Sequence, residues 1–417
     1  MLSSAPETQP DTGRSGLAGR SIHIGRVTLA TCLLFWVFVF CDSGWGPLLV
    51  PLSIQLHLSL STAGLLYVAW STGYLPGALV GGAMLDRYGP RRVLLRAALI
   101  VLCGIMVILL SLFAPQFVSI WSLLVIAGVA GIGGGVIDAS TNGLISAVFA
   151  SRRGSALNLF NLLYPLGGVI VALVDAGLLR LFHNDPRPAF LFTICFILGA
   201  LLSLPGIPKT YMISSHESKV EGGTTVASPP SPPRSLFATL APIIAIMIFT
   251  SGISSSVRAW TPAYLHVVYA QTPAIAAALS SITWILSSLS RIGAAALIVR
   301  TGSWKMVMFG IVVSLLGFVT MMVSPNALLA TLAISFTTIG LSPIFATCLA
   351  IGSELAGRSM GSVAGILLFV SGISTVFCGW FFGFLLNTRG PLWSVGFCFI
   401  FLALGGLMAL RLRPQAK

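Results

Sequence analysis

Apolar residues along this chain come in long runs rather than in the short alternating or one-faced patterns of a water-soluble domain. A helix needs about 20 of them to cross about 30 Å of hydrocarbon, and runs of that length recur with polar, glycine- and proline-marked breaks between them. The pattern predicts twelve membrane helices, over 27–50, 62–85, 93–113, 117–149, 155–182, 189–207, 236–264, 274–299, 306–324, 327–351, 360–386 and 392–410. The stretch between the sixth and seventh, residues 209–235, contains Pro229-Pro230-Ser231-Pro232-Pro233 and is too polar and proline-rich to pack as a helix. The chain therefore divides into a tail (1–26), a six-helix bundle (27–208), a linker (209–235), a second six-helix bundle (236–411) and a short tail (412–417). Because residues 1–26 are polar and the following apolar run exceeds the core of a signal peptide, an uncleaved tail and first helix are expected.

Composition agrees. With 56% hydrophobic and 8% charged residues, the chain is far from the roughly quarter-charged make-up of soluble domains. The formal charge of +13 sits in short loops, and dispersed loop charge makes no nucleic-acid-binding stripe. Its distribution instead sets topology. Most Lys and Arg fall in alternate loops, whereas the other loops hold Arg180, Arg187 and Arg389. The positive-inside rule then puts both termini in the cytoplasm, which requires an even number of helices. The seven cysteines show no metal or redox spacing, and no cofactor or metal is implied. No Gly-x-x-x-x-Gly-Lys loop supports direct ATP drive. All five histidines lie outside or near the ends of the spans, leaving no buried nucleophile and base pair for an intramembrane enzyme.

Carboxylates inside the spans are the first candidates for chemistry, because each costs about 2.5 to 3.5 kcal/mol on insertion scales unless neutral, paired or wet. Asp42 lies in the first span, beside Gly44, Gly46 and Pro47. Asp138 lies in the fourth, with Asn142 one helical turn on and on the same face. A carboxyl at midplane that exchanges a proton with one side and then the other is the minimum part of a proton-coupled transporter. A sodium site would use the same groups. Arg258 in the seventh span would hold a carboxylate or phosphate bidentately, or neutralise Asp42 across the interface, if it faced a cavity, and would snorkel to the headgroups if it did not. Trp260 is expected beside it in the pocket wall; Trp36, Trp45, Trp70, Trp284 and Trp380 could likewise stack a sugar or an aromatic substrate, though most are expected in packing or the interfacial belt. Arg291 is expected to reach cytoplasmic water or the end of a neighbouring helix, and Asp175 to stay hydrated near the outer end of the fifth span. Gly77, Gly81, Gly82 and the glycines of 128–135 are expected at close helix contacts.

Between the second and third spans stands Gly82-Ala83-Met84-Leu85-Asp86-Arg87-Tyr88-Gly89-Pro90-Arg91-Arg92. Plain positive-inside charge explains Arg91 and Arg92 but not Asp86 or the glycines. The string resembles the loop signature of the major facilitator superfamily, Gly-x-x-x-Asp-Arg-x-Gly-x-Arg-Arg, with Gly82, Asp86, Arg87, Gly89, Arg91 and Arg92 in place and Pro90 as the departure. A shift of 213 positions lays Arg87, Gly89 and Arg92 over Arg300, Gly302 and Lys305, a faint internal repeat. The resemblance implies two parallel six-helix halves with a substrate site between them at midplane. It also implies a gating latch, in which Asp86 pairs with Arg152 or Arg153 and with the helix dipole near Ser359. The fourth and fifth spans, with Ala156-Leu157-Asn158-Leu159-Phe160-Asn161, look like the fucose and glucose symporter branch. That likeness implies coupling and sugar-binding roles for Asp42, Asp138 and Asn158, with Asn161 where those proteins often carry Gln or His. Arg258 departs from the branch, which usually brings Gln or Glu there. The expected protein is an all-α transporter, a monomer in the lipid bilayer, moving a small-molecule substrate with a proton. The alternative is a drug or metabolite exporter of the same fold.

Overall fold

The computed structural model describes residues 12–149, 152–209, 234–356 and 360–410. Fourteen α-helices occupy them: α1 (Thr12–Gln55), α2 (Leu60–Tyr88), α3 (Pro90–Ser111), α4 (Ile120–Val148), α5 (Arg153–Asn161), α6 (Leu163–Leu181), α7 (Arg187–Leu201), α8 (Arg234–Tyr269), α9 (Pro273–Thr301), α10 (Ser303–Met322), α11 (Ala327–Leu341), α12 (Ile344–Ala356), α13 (Met360–Thr388) and α14 (Pro391–Leu410). They make twelve spans, because two spans are broken in the middle. The fifth is α5 plus α6, interrupted at Leu162 ahead of Pro165, and the tenth is α11 plus α12, interrupted at Ser342 and Pro343. A proline lacks the N–H that would bond the carbonyl four residues back. At the second break that carbonyl belongs to Ile339, and it accepts the Ser290 hydroxyl of α9 at 2.6 Å instead. Irregular backbone at membrane depth is tolerated where neighbouring helices satisfy it or where it lines a cavity.

Eleven helical stretches among the described residues are long and apolar enough to cross a membrane. The twelfth, α2, falls short because Trp70-Ser71-Thr72-Gly73-Tyr74-Leu75-Pro76-Gly77 dilutes its apolar character. A helix this polar turns that face away from lipid, and α2 does so by packing against α4. A Cβ on Gly73 would lie 1.8 Å from the Gly128 carbonyl oxygen, one on Gly77 2.1 Å from that of Ile132, and one on Gly131 2.1 Å from that of Trp70. Only glycine admits such backbone contact. Gly82 differs from the expectation of close contact: nothing lies within 4 Å of where its Cβ would be. Large apolar side chains such as Leu110, Val125, Leu316 and Ile400 are more than half exposed, as a lipid-facing belt requires.

The internal repeat is visible in backbone detail. Gly89 ends α2 and opens α3 at φ 80°, ψ 152°, and Gly302 does the same between α9 and α10 at φ 82°, ψ 155°. At the other ends of those helices, Ser59 caps α2 by accepting the Thr62 N–H, and Thr272 caps α9 by accepting that of Ile275. Both pairs keep the 213-residue offset. The left-handed backbone at the loop explains why glycine stands at both positions.

Buried apolar residues form two clusters, one centred on α1, α3, α4 and α7 and one on α8, α10, α11, α13 and α14. They meet at the face away from the chain termini. There Gly46 of α1 approaches the Ala259 carbonyl so closely that a Cβ would sit 3.1 Å from it. The Asn184 side-chain oxygen also accepts the Ala274 N–H at 3.3 Å.

Candidate functional site

A cavity of about 310 Å³ lies between the two halves. One wall comes from α1, α2, α4, α5 and α6; the other comes from α8, α9, α11, α12, α13 and the break at Ser342. The Gly46 and Ala259 contact seals it at one end. At the other, among its lining residues, Asn161 is exposed and Leu368 is 50% exposed. The cavity thus opens toward the face that carries the termini.

Asp42 and Asp138 both line it. Asp42 accepts the Trp70 indole N–H on Oδ1 at 2.9 Å and the Tyr164 hydroxyl on Oδ2 at 2.6 Å. Asp138 accepts the Tyr74 hydroxyl on Oδ2 at 2.5 Å and the Asn142 amide on Oδ1 at 2.8 Å. Trp70 and Tyr74 are one helical turn apart on α2 and share a face, so a single helix presents one donor to each acid. Asn142 carries the network onward: its oxygen accepts the Asn161 amide at 3.1 Å, and Asn161 also donates to the Leu157 carbonyl. Phe38 stacks on Tyr74 with ring centroids 5.5 Å apart, and lies 6.1 Å from Tyr164.

The facing wall is cationic. Arg258 donates to the hydroxyls of Ser254 at 2.6 Å and Ser255 at 3.2 Å, and its guanidinium lies 5.8 Å from the Trp284 ring centroid. Trp284 meets Tyr164 edge-on across the interface at 5.7 Å, and Gly168 of α6 lets the ring in. Arg291 also lines the cavity, its Nε donating to the Ser342 hydroxyl at 3.0 Å.

Several expectations are corrected here. Trp260 is not in the cavity wall: it is 1% exposed, donates its indole N–H to the Gly379 carbonyl at 2.9 Å and fits against Gly64 and Gly383. Its place two residues after Arg258 turns it about 200° around the helix. Of the two destinations expected for Arg291, the structure shows the second: it reaches the end of α11, at the polar break before α12. Asp175 is buried at 3% exposure, with its Oδ2 unpartnered among the described residues, against Gly44 and Val171. Arg87 and Arg152 are exposed. The side chains of Asp86, Arg153 and Asn158, and Ser359 as a whole, lie outside the described residues, as do 210–233 of the linker.

Trp70 and Trp284 belong to the set of span tryptophans that could meet a substrate, whereas Tyr74, Tyr164 and Ser342 gain their places from neighbouring helices and their own surroundings in the sequence assign them no role. One signal was available: α2 is the span too polar to face lipid, which marks Trp70 and Tyr74 as inward.

The sequence model of the Major Facilitator Superfamily matches residues 31–378. The chain belongs to this family. Members of the superfamily are membrane transporters, and the helices above make this a multi-pass membrane protein of that fold. Among solved structures, the inward-open xylose transporter XylE from E. coli superposes with a TM-score of 0.75 at 15% identity, covering 93% of this chain and 95% of that one. Among relatives in sequence, the sodium-dependent glucose transporter 1 of Danio rerio is 26% identical over 177 residues, 42% of this chain. The probable anion transporter 3, chloroplastic, of Arabidopsis thaliana is 26% identical over 271 residues, 61% of this chain. The matched stretches span 28% and 52% of those two relatives' own lengths.

Proposed function

We propose that the protein is a secondary active transporter of the cell membrane, moving a sugar or related small metabolite by alternating access with a proton as the coupling ion. One observation carries this reading: two carboxyls, Asp42 and Asp138, reach one chamber between two halves that is sealed at one end and open at the other. A carboxyl in such a chamber exchanges its proton with whichever side the chamber faces. Rocking the halves then links that exchange to the passage of a solute. Asn142, Asn158 and Asn161 supply the hydrogen-bonding side of the pocket and Arg258 its opposite wall. With both termini cytoplasmic, the chamber described above faces inward. The loop with Gly82, Asp86, Arg87, Gly89, Arg91 and Arg92 then latches to Arg152 and Arg153 when it faces outward.

Uptake of labelled solute into proteoliposomes, with and without an imposed pH gradient, tests the reading. Wild-type uptake is expected to rise with the gradient, and Asp138→Asn is expected to abolish that rise. A sodium gradient that drives uptake where a pH gradient does not would reassign the ion, and gradient-driven coupling that survives Asp138→Asn would remove this residue from the mechanism.

A further inference from the structure

Two arginines share the cavity, and among the described residues neither has a carboxylate within ion-pair distance. Among the described residues the one salt bridge joins Asp185 to Arg187, in the loop between α6 and α7. The hydrogen-bond partners of Arg258 and Arg291 are neutral serine hydroxyls. The two acids nearby accept donors from Trp70, Tyr164, Tyr74 and Asn142 on all four oxygens, and neither accepts a hydrogen bond from a guanidinium among the described residues. A guanidinium carries five N–H donors. Both η nitrogens of Arg291 are without a partner in the described structure, and Arg258 uses one donor of each of its η groups.

Trp284 fixes the geometry. Arg258 lies over its ring, and Arg291 stands seven residues further along α9, which is the same helical face two turns on. At 1.5 Å per residue the second guanidinium is rooted about 10 Å closer to the open end. Asp42 and Asp138 offset the two charges at a distance within the same chamber, but neither makes a direct ion pair with a guanidinium among the described residues, which leaves the guanidinium donors free to meet an anion that enters. Around them the hydroxyls of Ser254, Ser255, Thr375 and Ser342 offer partners to a hydroxylated body, in a volume near the small end for ligand pockets.

We propose that Arg258 and Arg291 form an anion subsite, and that the solute is a small hydroxylated organic anion bearing a carboxylate or phosphate rather than a neutral sugar. The proposal rests on the transporter reading above and narrows its substrate class. A guanidinium pairs with either anion through two parallel N–H bonds. An anion entering from the open end meets Arg291 first and Arg258 at the sealed end.

The test uses the purified full-length protein, with thermal unfolding followed against glucose, gluconate, glucuronate and glucose 6-phosphate at matched ionic strength. At about 10 mM, at least one of the three anions is expected to raise Tm by about 2 °C or more while glucose does not. Which anion does so separates carboxylate from phosphate. Arg258→Gln and Arg291→Gln are each expected to remove the shift, and Arg291→Lys to keep part of it. The proposal is overturned if glucose stabilises as well as the anions do, if none of the three anions stabilises, or if the shift survives both glutamine variants. The wild-type comparison decides even where a variant fails to fold. In proteoliposomes, gradient-driven glucose uptake would sink the anion subsite and leave the transporter reading standing. Anion-dependent stabilisation with no transport of any probe would do the reverse.

Discussion

Gly73→Ala places one methyl group where α2 and α4 touch backbone to backbone. The added Cβ would sit 1.8 Å from the Gly128 carbonyl oxygen, whereas ordinary contact between a carbon and an oxygen begins near 3.2 to 3.4 Å, so the helices must separate by about 1.5 Å. Neither neighbour is a flexible side chain that could turn aside. Tyr74, the next residue, donates to Asp138 of α4 at 2.5 Å, and a separation of that size would stretch the bond to about 4 Å, beyond hydrogen-bonding range. Overpacking of this kind costs typically 1–3 kcal/mol, and an unsatisfied hydrogen bond to a carboxyl adds about 1.5–3 kcal/mol. Gly177→Ala is the control, since nothing lies within 4 Å of its Cβ position. Unfolding in detergent should show Gly73→Ala well below wild type and Gly177→Ala at or above it, with coupled uptake lost in the first variant and kept in the second. Equal stability and equal uptake for both variants would refute the claim that the α2 and α4 contact positions the Tyr74 and Asp138 pair.

Asp175→Leu replaces a buried carboxyl with an unpartnered oxygen by an apolar group of similar size. Unfolding should show it neutral to stabilising, and a loss beyond about 2 kcal/mol would reveal a partner that this state does not contain. Asp185 lies outside the membrane spans, and its hydrogen bonds from Arg187 hold its carboxyl below the usual range. The pair's contribution is therefore present above the usual carboxylate range and disappears as pH falls through the lowered value. Asp185→Asn should cost at most about 1 kcal/mol at neutral pH and nothing in strong acid, as thermal unfolding across pH would show. Asp86→Asn should weaken the outward-facing state, seen as greater labelling of a single cysteine on the termini face of the cavity. Unchanged labelling and unchanged transport would count against the latch.

The fold was legible because length and apolarity alone decide where a membrane helix runs, and because the charged loop after α2 carries a distinctive string. The two breaks were less so. Pro165 and Pro343 look like the tolerated prolines inside α1, α2 and α8, and whether a helix bends or parts depends on neighbours such as Ser290. Asp42, Asp138 and Asn142 stood out because an acid among apolar residues needs a reason. Their partners stood out less: Trp70 was one of several tryptophans that could meet a substrate, and Tyr74 and Tyr164 are ordinary in a membrane helix until another helix brings a carboxyl to them. Arg291 left two destinations open for a related reason. A long cationic side chain in a span usually reaches for the membrane edge, and only the opening at Ser342, formed by a different helix, offers it a polar end inside. Trp260 was misjudged, because closeness to Arg258 in sequence suggested a shared face that helical geometry denies.

The most direct test of the account records solute and proton together. In proteoliposomes carrying an internal pH-sensitive dye, a pulse of the stabilising anion should move labelled solute and acidify the lumen in step, and Asp138→Asn should uncouple the two signals. Solute that enters the vesicles with no change in lumenal pH would contradict proton coupling through the acids of this chamber.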